Sequence, residues 1–213
     1  MPENIESRYR LVPMDVLIEN YRFEQKFMEL CRECANYGTN WACPPFDFDT
    51  EDYLRRYRYA HIFAVKWRHS ADTIARNDTM EKAIAYSRAL FHRGKEKMLT
   101  LLYRLEGQYA GSVGMSAGGC SICGRCSRFG GQPCIHPDKV RHSPEALGFD
   151  LTMISKDFLG IEILWGRDAL PEYQVLLNAL FTTEPYREIE REIRSYNDYC
   201  EISTEELRPL REQ

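Results

Sequence analysis

The sequence lacks the segments that place a protein in or across a membrane. No stretch approaches the ~20 consecutive apolar residues that a membrane-spanning helix needs. The N-terminus also has no basic region followed by an apolar one, which is the pattern of a secretion signal. We therefore expect a cytoplasmic protein that does not bind a membrane.

Common nucleotide-binding and hydrolase fingerprints are missing as well. The chain contains no P-loop, no G-x-G-x-x-G turn, no nucleophile elbow and no H-E-x-x-H pair. Basic residues are slightly outnumbered, with 28 Lys and Arg against 32 Asp and Glu and a net charge of -4. Nucleic acid binding favours basic surfaces, so this balance argues against a nucleic acid partner.

No internal repeat, low-complexity run or linker divides the 213 residues, and 44% of them are hydrophobic, which is enough for an ordinary core. We therefore expect a single domain over residues 1–213, in which residues 184–213 form a charged helical C-terminal extension.

Hydrophobic spacing predicts helices and strands in alternation. The predicted helices with both ends assigned are 15–35, 50–57, 151–159 and 184–196. A further long helix is predicted to begin at Asp78 and to end near Leu105, where Gly107 stops it, and another is predicted to begin at Ser143-Pro144. The predicted strands are 61–67, 109–115 and 173–181. This order indicates an α/β or α+β fold, with a small central sheet flanked by helices and with cysteine-rich loops between them.

What the sequence has in abundance is cysteine. In a reducing cytoplasm, cysteines more often bind metal or do chemistry than form disulfides. The eight cysteines fall into a first group, Cys31, Cys34 and Cys43, a second group, Cys120, Cys123, Cys126 and Cys134, and the isolated Cys200. We interpret Cys200, which lies in a charged tail, as a plain free cysteine.

The second group begins with the C-x₂-C-x₂-C spacing of bacterial ferredoxins, Cys120, Cys123 and Cys126. We expect Gly124 to let the chain curl between ligands. Cys134 is the expected fourth ligand, although it follows after seven residues rather than three, and His136 is an alternative. Zinc usually takes two separate cysteine or histidine pairs, so the spacing favours a [4Fe–4S] cluster over zinc.

The first group offers only three thiols, Cys31, Cys34 and Cys43, and its metal is either zinc or a second cluster. Either a fourth ligand comes from elsewhere, such as Cys200 or a histidine, or one metal position stays open for substrate. Crossed ligation, with Cys43 in the second site and Cys134 in the first, is a further alternative. The sequence thus predicts one cluster or two.

Polar residues follow the second group where a helix is expected to begin. Arg141 and Ser143, with His142 and Glu145, would face the positive end of that helix, which attracts anions. We therefore name Arg141 and Ser143 as candidate cofactor-binding residues. The alternative is a capped helix with solvated charges.

These residues carry a resemblance to a known family. The chain resembles domain of unknown function 2284 from about residue 24 to about residue 182. The matching segments are Tyr37-Gly38, Trp41, Cys43-Pro44-Pro45, the loop Gly119–Cys126, Cys134 and the stretch Arg141–Gly148. The resemblance implies a metal-binding, cysteine-rich protein of the kind found mostly in anaerobic bacteria and archaea, and it implies no particular reaction. The chain departs from the family at Glu33, where a small residue is usual.

Three functions follow from these observations. The first is an iron–sulfur protein that serves in electron transfer with a redox partner protein. The second is an enzyme that uses an open iron of a three-cysteine cluster on a small-molecule substrate. The third is a binding module held together by zinc.

Overall fold

The protein has an α+β fold built on one four-stranded sheet. The computed structural model describes residues 2–166, 169–196, 202–203 and 206–207. The strands are β1 (Pro2–Pro13), β2 (Tyr59–His69), β3 (Val113–Met115) and β4 (Tyr173–Thr182). They lie in the order β1-β2-β4-β3, and every neighbouring pair is antiparallel. The predicted small central sheet with flanking helices is confirmed.

Helices cover both faces of this sheet. They are α1 (Met14–Tyr21), α2 (Glu24–Arg32), α3 (Thr50–Leu54), α4 (Ala71–Arg76), α5 (Met80–Gln108), α6 (Leu151–Leu159) and α7 (Glu188–Ser195). None of the helices in the described part of the chain has the length and apolar composition needed to cross a membrane.

Side chains alternate between two buried layers along the central strands, as the pleat of a strand requires. Ile62 of β2 and Phe181 of β4 lie in one layer, beneath α1 and α6. Phe63, Trp67 and Leu180 point the other way and pack under α5 and α7. Because β2 and β4 are covered on both faces, they have the nearly continuous apolar sequences that predicted them.

Strand β1 is not among the strands predicted above. Its inner face is marked by Ile5, Ser7, Tyr9 and Leu11 at a period of two, and charged residues alternate with them. Such alternation is the mark of a half-buried strand at the edge of a sheet. The alternation was visible in the sequence, but the charged residues on the outer face make the segment look too polar for a strand.

The predicted helix 15–35 is two helices. The chain becomes extended at Arg22, which forms an isolated antiparallel bridge with Phe149. Phe23 N–H donates to Gly148 O at 2.8 Å, and Asp150 N–H donates to Tyr21 O at 2.9 Å. A segment distant in sequence therefore interrupts the helix. The spacing of apolar residues within 15–35 cannot predict a contact with such a segment.

Other expected boundaries need smaller corrections. Thr79, rather than Asp78, caps α5, because its side chain accepts from Lys82 N–H. The strand expected over 109–115 is only β3, and the helix expected at Ser143 is a single 3₁₀ turn, Glu145–Leu147. The charged C-terminal helix is present as α7, and the remainder of the extension lies largely outside the described residues.

Candidate metal centre

The fold brings both cysteine groups to the same end of the molecule. Cys31 lies in the last turn of α2, and Cys34 and Cys43 follow in the loop that leads to α3. The second group lies in the long loop after β3. Gly119, at the start of that loop, passes so close to Asn36 that a Cβ there would lie 2.9 Å from Nδ2. The two loops are therefore packed against each other.

All four cysteines of the second group line one small pocket. The other lining residues are Trp41, Ile122, Ser127, His136 and Val140. Each of the four thiols is half-buried. Cys134 thus lines the same pocket as the other three cysteines although seven residues separate it from Cys126. A short 3₁₀ helix, Ser127–Gly130, turns the chain between them. His136 lines the pocket beside Cys134, and its N–H lies 3.4 Å from Cys134 Sγ.

The expected reason for Gly124 is not supported. Its φ lies outside the left-handed region, and a Cβ placed there would meet no atom within 4 Å. The chain therefore curls between Cys123 and Cys126 without needing a glycine.

The described cysteines are free thiols, and none is in a disulfide. Within the described ranges, no three His, Cys, Asp or Glu side chains form a group that could hold a single metal ion. The four thiols of the second group nevertheless line one pocket together. A tetrahedral zinc site needs its sulfur atoms about 2.3 Å from one centre. A cubic cluster instead distributes its ligands over several irons.

The thiols of the first group interact with one another. The pKa of Cys43 is raised to about 12, mainly by burial and then by the neighbouring Cys34 and Cys31, against the opposing effect of Lys95 and Arg128. Burial, followed by Cys34 and Glu145, also raises the pKa of Cys31. Without a metal these thiols hold their protons, so binding of a metal must release them.

The interactions do not favour crossed ligation. Cys43 is influenced by Cys31 and Cys34, whereas Cys120 is influenced by Cys123 and Cys126. Cys134 lines the pocket of the second group. The structure therefore places the cysteines in the two groups that the sequence suggests.

Two polar side chains join the loops of the two groups. Asn40, which is 6% exposed, donates to Cys120 O at 2.8 Å and accepts from Cys120 N–H at 3.2 Å. Arg128 donates to Cys43 O at 2.7 Å and to Asn40 O at 3.1 Å. The backbone on either side of the pocket is thus fixed by hydrogen bonds that cross between the loops.

Lys95 of α5 lies between the two groups. Its ammonium donates to Gly119 O. Burial lowers the pKa of Lys95, and the nearby Cys120 and Cys43 oppose that shift. Its positive charge therefore faces both loops and would stabilise thiolates in either group.

The candidate cofactor-binding residues Arg141 and Ser143 have partners within the protein. Arg141 forms an ion pair with Glu106, and both side chains are 13% exposed. Ser143 is buried, and its Oγ accepts from Ala146 N–H at 3.2 Å. His142 packs among aromatic rings and contacts Ala42 O through Nδ1 at 3.1 Å. A cofactor-binding role for Arg141 and Ser143 stays a prediction.

Trp41 lines the pocket of the second group, and its indole N–H donates to Gln132 O at 3.1 Å. The guanidinium of Arg128 lies 4.8 Å from its ring centroid. Cys200, the isolated cysteine, lies outside the described residues.

Sequence reasoning missed Lys95 and Asn40. The signal for Lys95 was available, because it stands four residues after Phe91 and three before Met98 and so shares a helix face with these apolar residues. A charge at such a position needs a partner or a function. Asn40 gave no comparable signal, since an asparagine in a loop is ordinary.

Comparison with protein families gives one result. The model of a family described as "Predicted metal-binding protein (DUF2284)" matches residues 15–178. Searches of curated proteins and of solved structures returned no match.

Proposed function

Because the chain belongs to the DUF2284 family of predicted metal-binding proteins, we propose that its metal is iron in a [4Fe–4S] cluster held by Cys120, Cys123, Cys126 and Cys134. The observation that carries this proposal is the pocket that these four cysteines line together.

The geometry of the four thiols supports a cluster rather than one ion. All four line one pocket. Ligands of a cube bind different irons and so lie further apart than ligands of one zinc ion. The ferredoxin spacing of the first three cysteines agrees with this interpretation.

The surrounding charges also support it. Thiolates around a cluster carry negative charge that the protein must offset. Lys95 brings a half-buried ammonium to the loop at Gly119, and Arg128 lies against Trp41 at the edge of the pocket. The half-buried thiols leave the site close to the surface, as electron exchange with another protein requires.

A bound cluster of this type supplies reversible one-electron transfer. The role that we propose is electron transfer in the cytoplasm with a redox partner protein, or chemistry on a small molecule beside the cluster. The chain's own residues position the ligands: Asn40 and Arg128 hold the two loops together, and Trp41 covers one side of the pocket.

A second centre at the first group is favoured by the mutual influence of Cys31, Cys34 and Cys43. With three thiols, a cluster there would leave one iron open to a substrate. This enzyme hypothesis differs from the first in that added small thiols or carboxylates should change the visible spectrum of the protein.

The test is purification without oxygen, followed by measurement of iron, acid-labile sulfide and zinc. We expect about four irons and four sulfides for each cluster, a signal in the electron paramagnetic resonance spectrum after reduction, and loss of that signal in Cys123→Ser. Cys34→Ser is the matched control, since it removes an exposed thiol of the other group.

The outcomes separate the alternatives. If the purified protein is colourless and contains zinc and no sulfide, the cluster hypothesis is wrong and the protein is a zinc-binding module. Loss of the signal in Cys34→Ser but not in Cys123→Ser would move the cluster to the first group.

A further inference from the structure

A cavity of about 1090 Å³ lies beside the cysteine loops. Its walls come from α2, from α5, from residues 117–119, from the start of α6, from residues 163–166, 169 and 171, and from β4. Small-molecule sites typically have ~300–1,000 Å³. None of the seven described cysteines lines it, so the cavity is separate from the proposed metal site.

The wall formed by α5 follows one face of the helix. Its lining residues are Met80, Ala83, Ile84, Ser87, Arg88, Phe91 and Lys95. Large apolar side chains on this and the opposite wall remain accessible, including Leu30 at 55% and Met80 at 52% exposure. Accessible apolar surface of this kind usually marks a place where another molecule binds.

The charges in the cavity are not balanced. Lys26 forms an ion pair with Asp150 at 3.0 Å. Lys95 and Arg88 are within ion-pair distance of no carboxylate among the described residues, although Lys95 and Glu145 lie close enough for each to shift the pKa of the other toward its charged form. Seven residues separate them on α5, which places them about 10 Å apart along the helix axis. The cavity thus has one cation at its inner end, beside Gly119, and a second further along the same wall.

Glu145 adds a hydrogen-bonding group to the lining. Its Oε2 is fully buried and has no hydrogen-bond partner within the described part of the chain. Burial raises the pKa of this carboxyl group, which favours its neutral form. A neutral carboxyl group does not oppose the binding of an anion, and it has a proton to donate.

We propose that the cavity binds a small organic molecule with an apolar body and one carboxylate. The carboxylate pairs with the ammonium of Lys95, and the apolar body lies along α5 toward Arg88. A half-buried ammonium whose nearest carboxyl group, that of Glu145, favours its neutral form can pair with an anion, and the apolar walls select a hydrophobic body. The bound carboxylate would lie next to the loop that carries Cys120.

Isothermal titration calorimetry with three probes of equal length tests the charge preference. The probes are octanoate, 1-octanol and octylammonium. We expect octanoate to bind at least tenfold more tightly than either of the others, and a tenfold difference corresponds to about 1.4 kcal/mol. Equal affinity for octanoate and octylammonium would overturn the proposal, as would the absence of octanoate binding.

Variants then locate the site. Lys95→Met should weaken octanoate binding at least tenfold and change octanol binding less than threefold. Lys82→Met is the control, because Lys82 is an exposed lysine of the same helix that pairs with Asp78 and does not line the cavity. An equal effect of the two substitutions would contradict the assigned position of the carboxylate.

Ala83→Phe tests the cavity without removing a charge. Ala83 is 8% exposed and lines the wall, so the larger ring should fill the space and abolish binding of both octanoate and octanol. Unchanged octanoate affinity in this variant would refute the site, even where Lys95→Met does not fold. Metal content, measured on the same samples, reports separately on the proposed cluster.

Discussion

Gly94 shows how one residue fixes the packing of α5 on the sheet. A Cβ at this position would lie 2.4 Å from Cη2 of Trp67 and 2.8 Å from Cζ2. Trp67 is fully buried, so its ring has little room to move. A glycine in the middle of a helix often marks the close approach of another segment, but the sequence does not say which segment that is. The contact is with Trp67 of β2. Helical spacing tells on which face of the helix a residue lies, but not which other element packs against that face.

We expect Gly94→Ala to destabilise the protein. Overpacking against Trp67 should cost about 1–3 kcal/mol, which exceeds the ~1 kcal/mol that alanine gains over glycine in a helix. Urea denaturation measures the difference. Gly107→Ala is the control, since a Cβ there meets nothing within 4 Å and should be neutral or stabilising. Equal stability of the two variants would contradict the packing at Trp67.

The ion pair of Arg141 and Glu106 makes a second prediction at this scale. Glu106 accepts from Arg141 and from Gly114 N–H of β3. Removing one member of a largely buried pair typically costs about 3–5 kcal/mol, because the other charge stays buried. Arg141→Met should therefore lower the free energy of unfolding by about 3 kcal/mol. Should the variant lose iron at unchanged stability, Arg141 would act on the cofactor instead.

At the scale of elements, the important contact is between the loop 33–49 and the cysteine loop after β3. Asn40 also accepts from Ala42 N–H at 3.0 Å, so it satisfies backbone groups in both loops. Asn40→Ala should destabilise by about 2–3 kcal/mol, because buried backbone groups lose their partners. We also expect faster loss of iron from the protein to a chelator.

Thr39→Ala is the matched control for Asn40. Thr39 is its half-buried neighbour, and its hydroxyl donates within its own loop, to Ala35 O at 2.8 Å. Iron loss at the rate of the unchanged protein is expected for this variant. Equal rates for Asn40→Ala and Thr39→Ala would show that the contact between the loops does not hold the site together.

The elements that the sequence predicted well are those whose signals are local. β2, β4 and α5 have long apolar patterns, and the cysteine spacing needs only a few neighbouring residues. The break at Arg22 depends on Phe149, which lies more than a hundred residues away. The position of Lys95 between the two cysteine groups likewise follows from the packing of α5, which no local pattern contains.

At the scale of the whole molecule, the sheet carries buried polar residues whose protonation is linked to folding. His61 lies between Tyr9 and Thr182, at 2.8 Å and 3.2 Å, and His69 lies 3.2 Å from Gln174. Both rings are at most 4% exposed. Burial lowers the pKa of each to about 4, against 6.5 for an ordinary histidine.

The sign of the pH effect follows from these values. Between pH 6.5 and pH 4 the unfolded chain binds protons at these histidines and the folded protein does not, so folding is favoured less as the pH falls. At pH 5 each histidine should cost the folded state about 2 kcal/mol relative to pH 7.5. The two lie eight residues apart on β2, or about 26 Å, so the costs should add.

The prediction is that the free energy of unfolding falls more steeply between pH 7.5 and pH 5 in the unchanged protein than in His61→Gln/His69→Gln. The difference in the free energy of unfolding between the two proteins should change by about 4 kcal/mol from pH 7.5 to pH 5. Acid also protonates thiolates that hold a metal, but that effect is common to both proteins and cancels in the comparison. Urea denaturation at pH 7.5 and pH 5 measures the free energy of unfolding of both proteins. Parallel curves for the two proteins would mean that the buried histidines are not the groups that link folding of the sheet to pH.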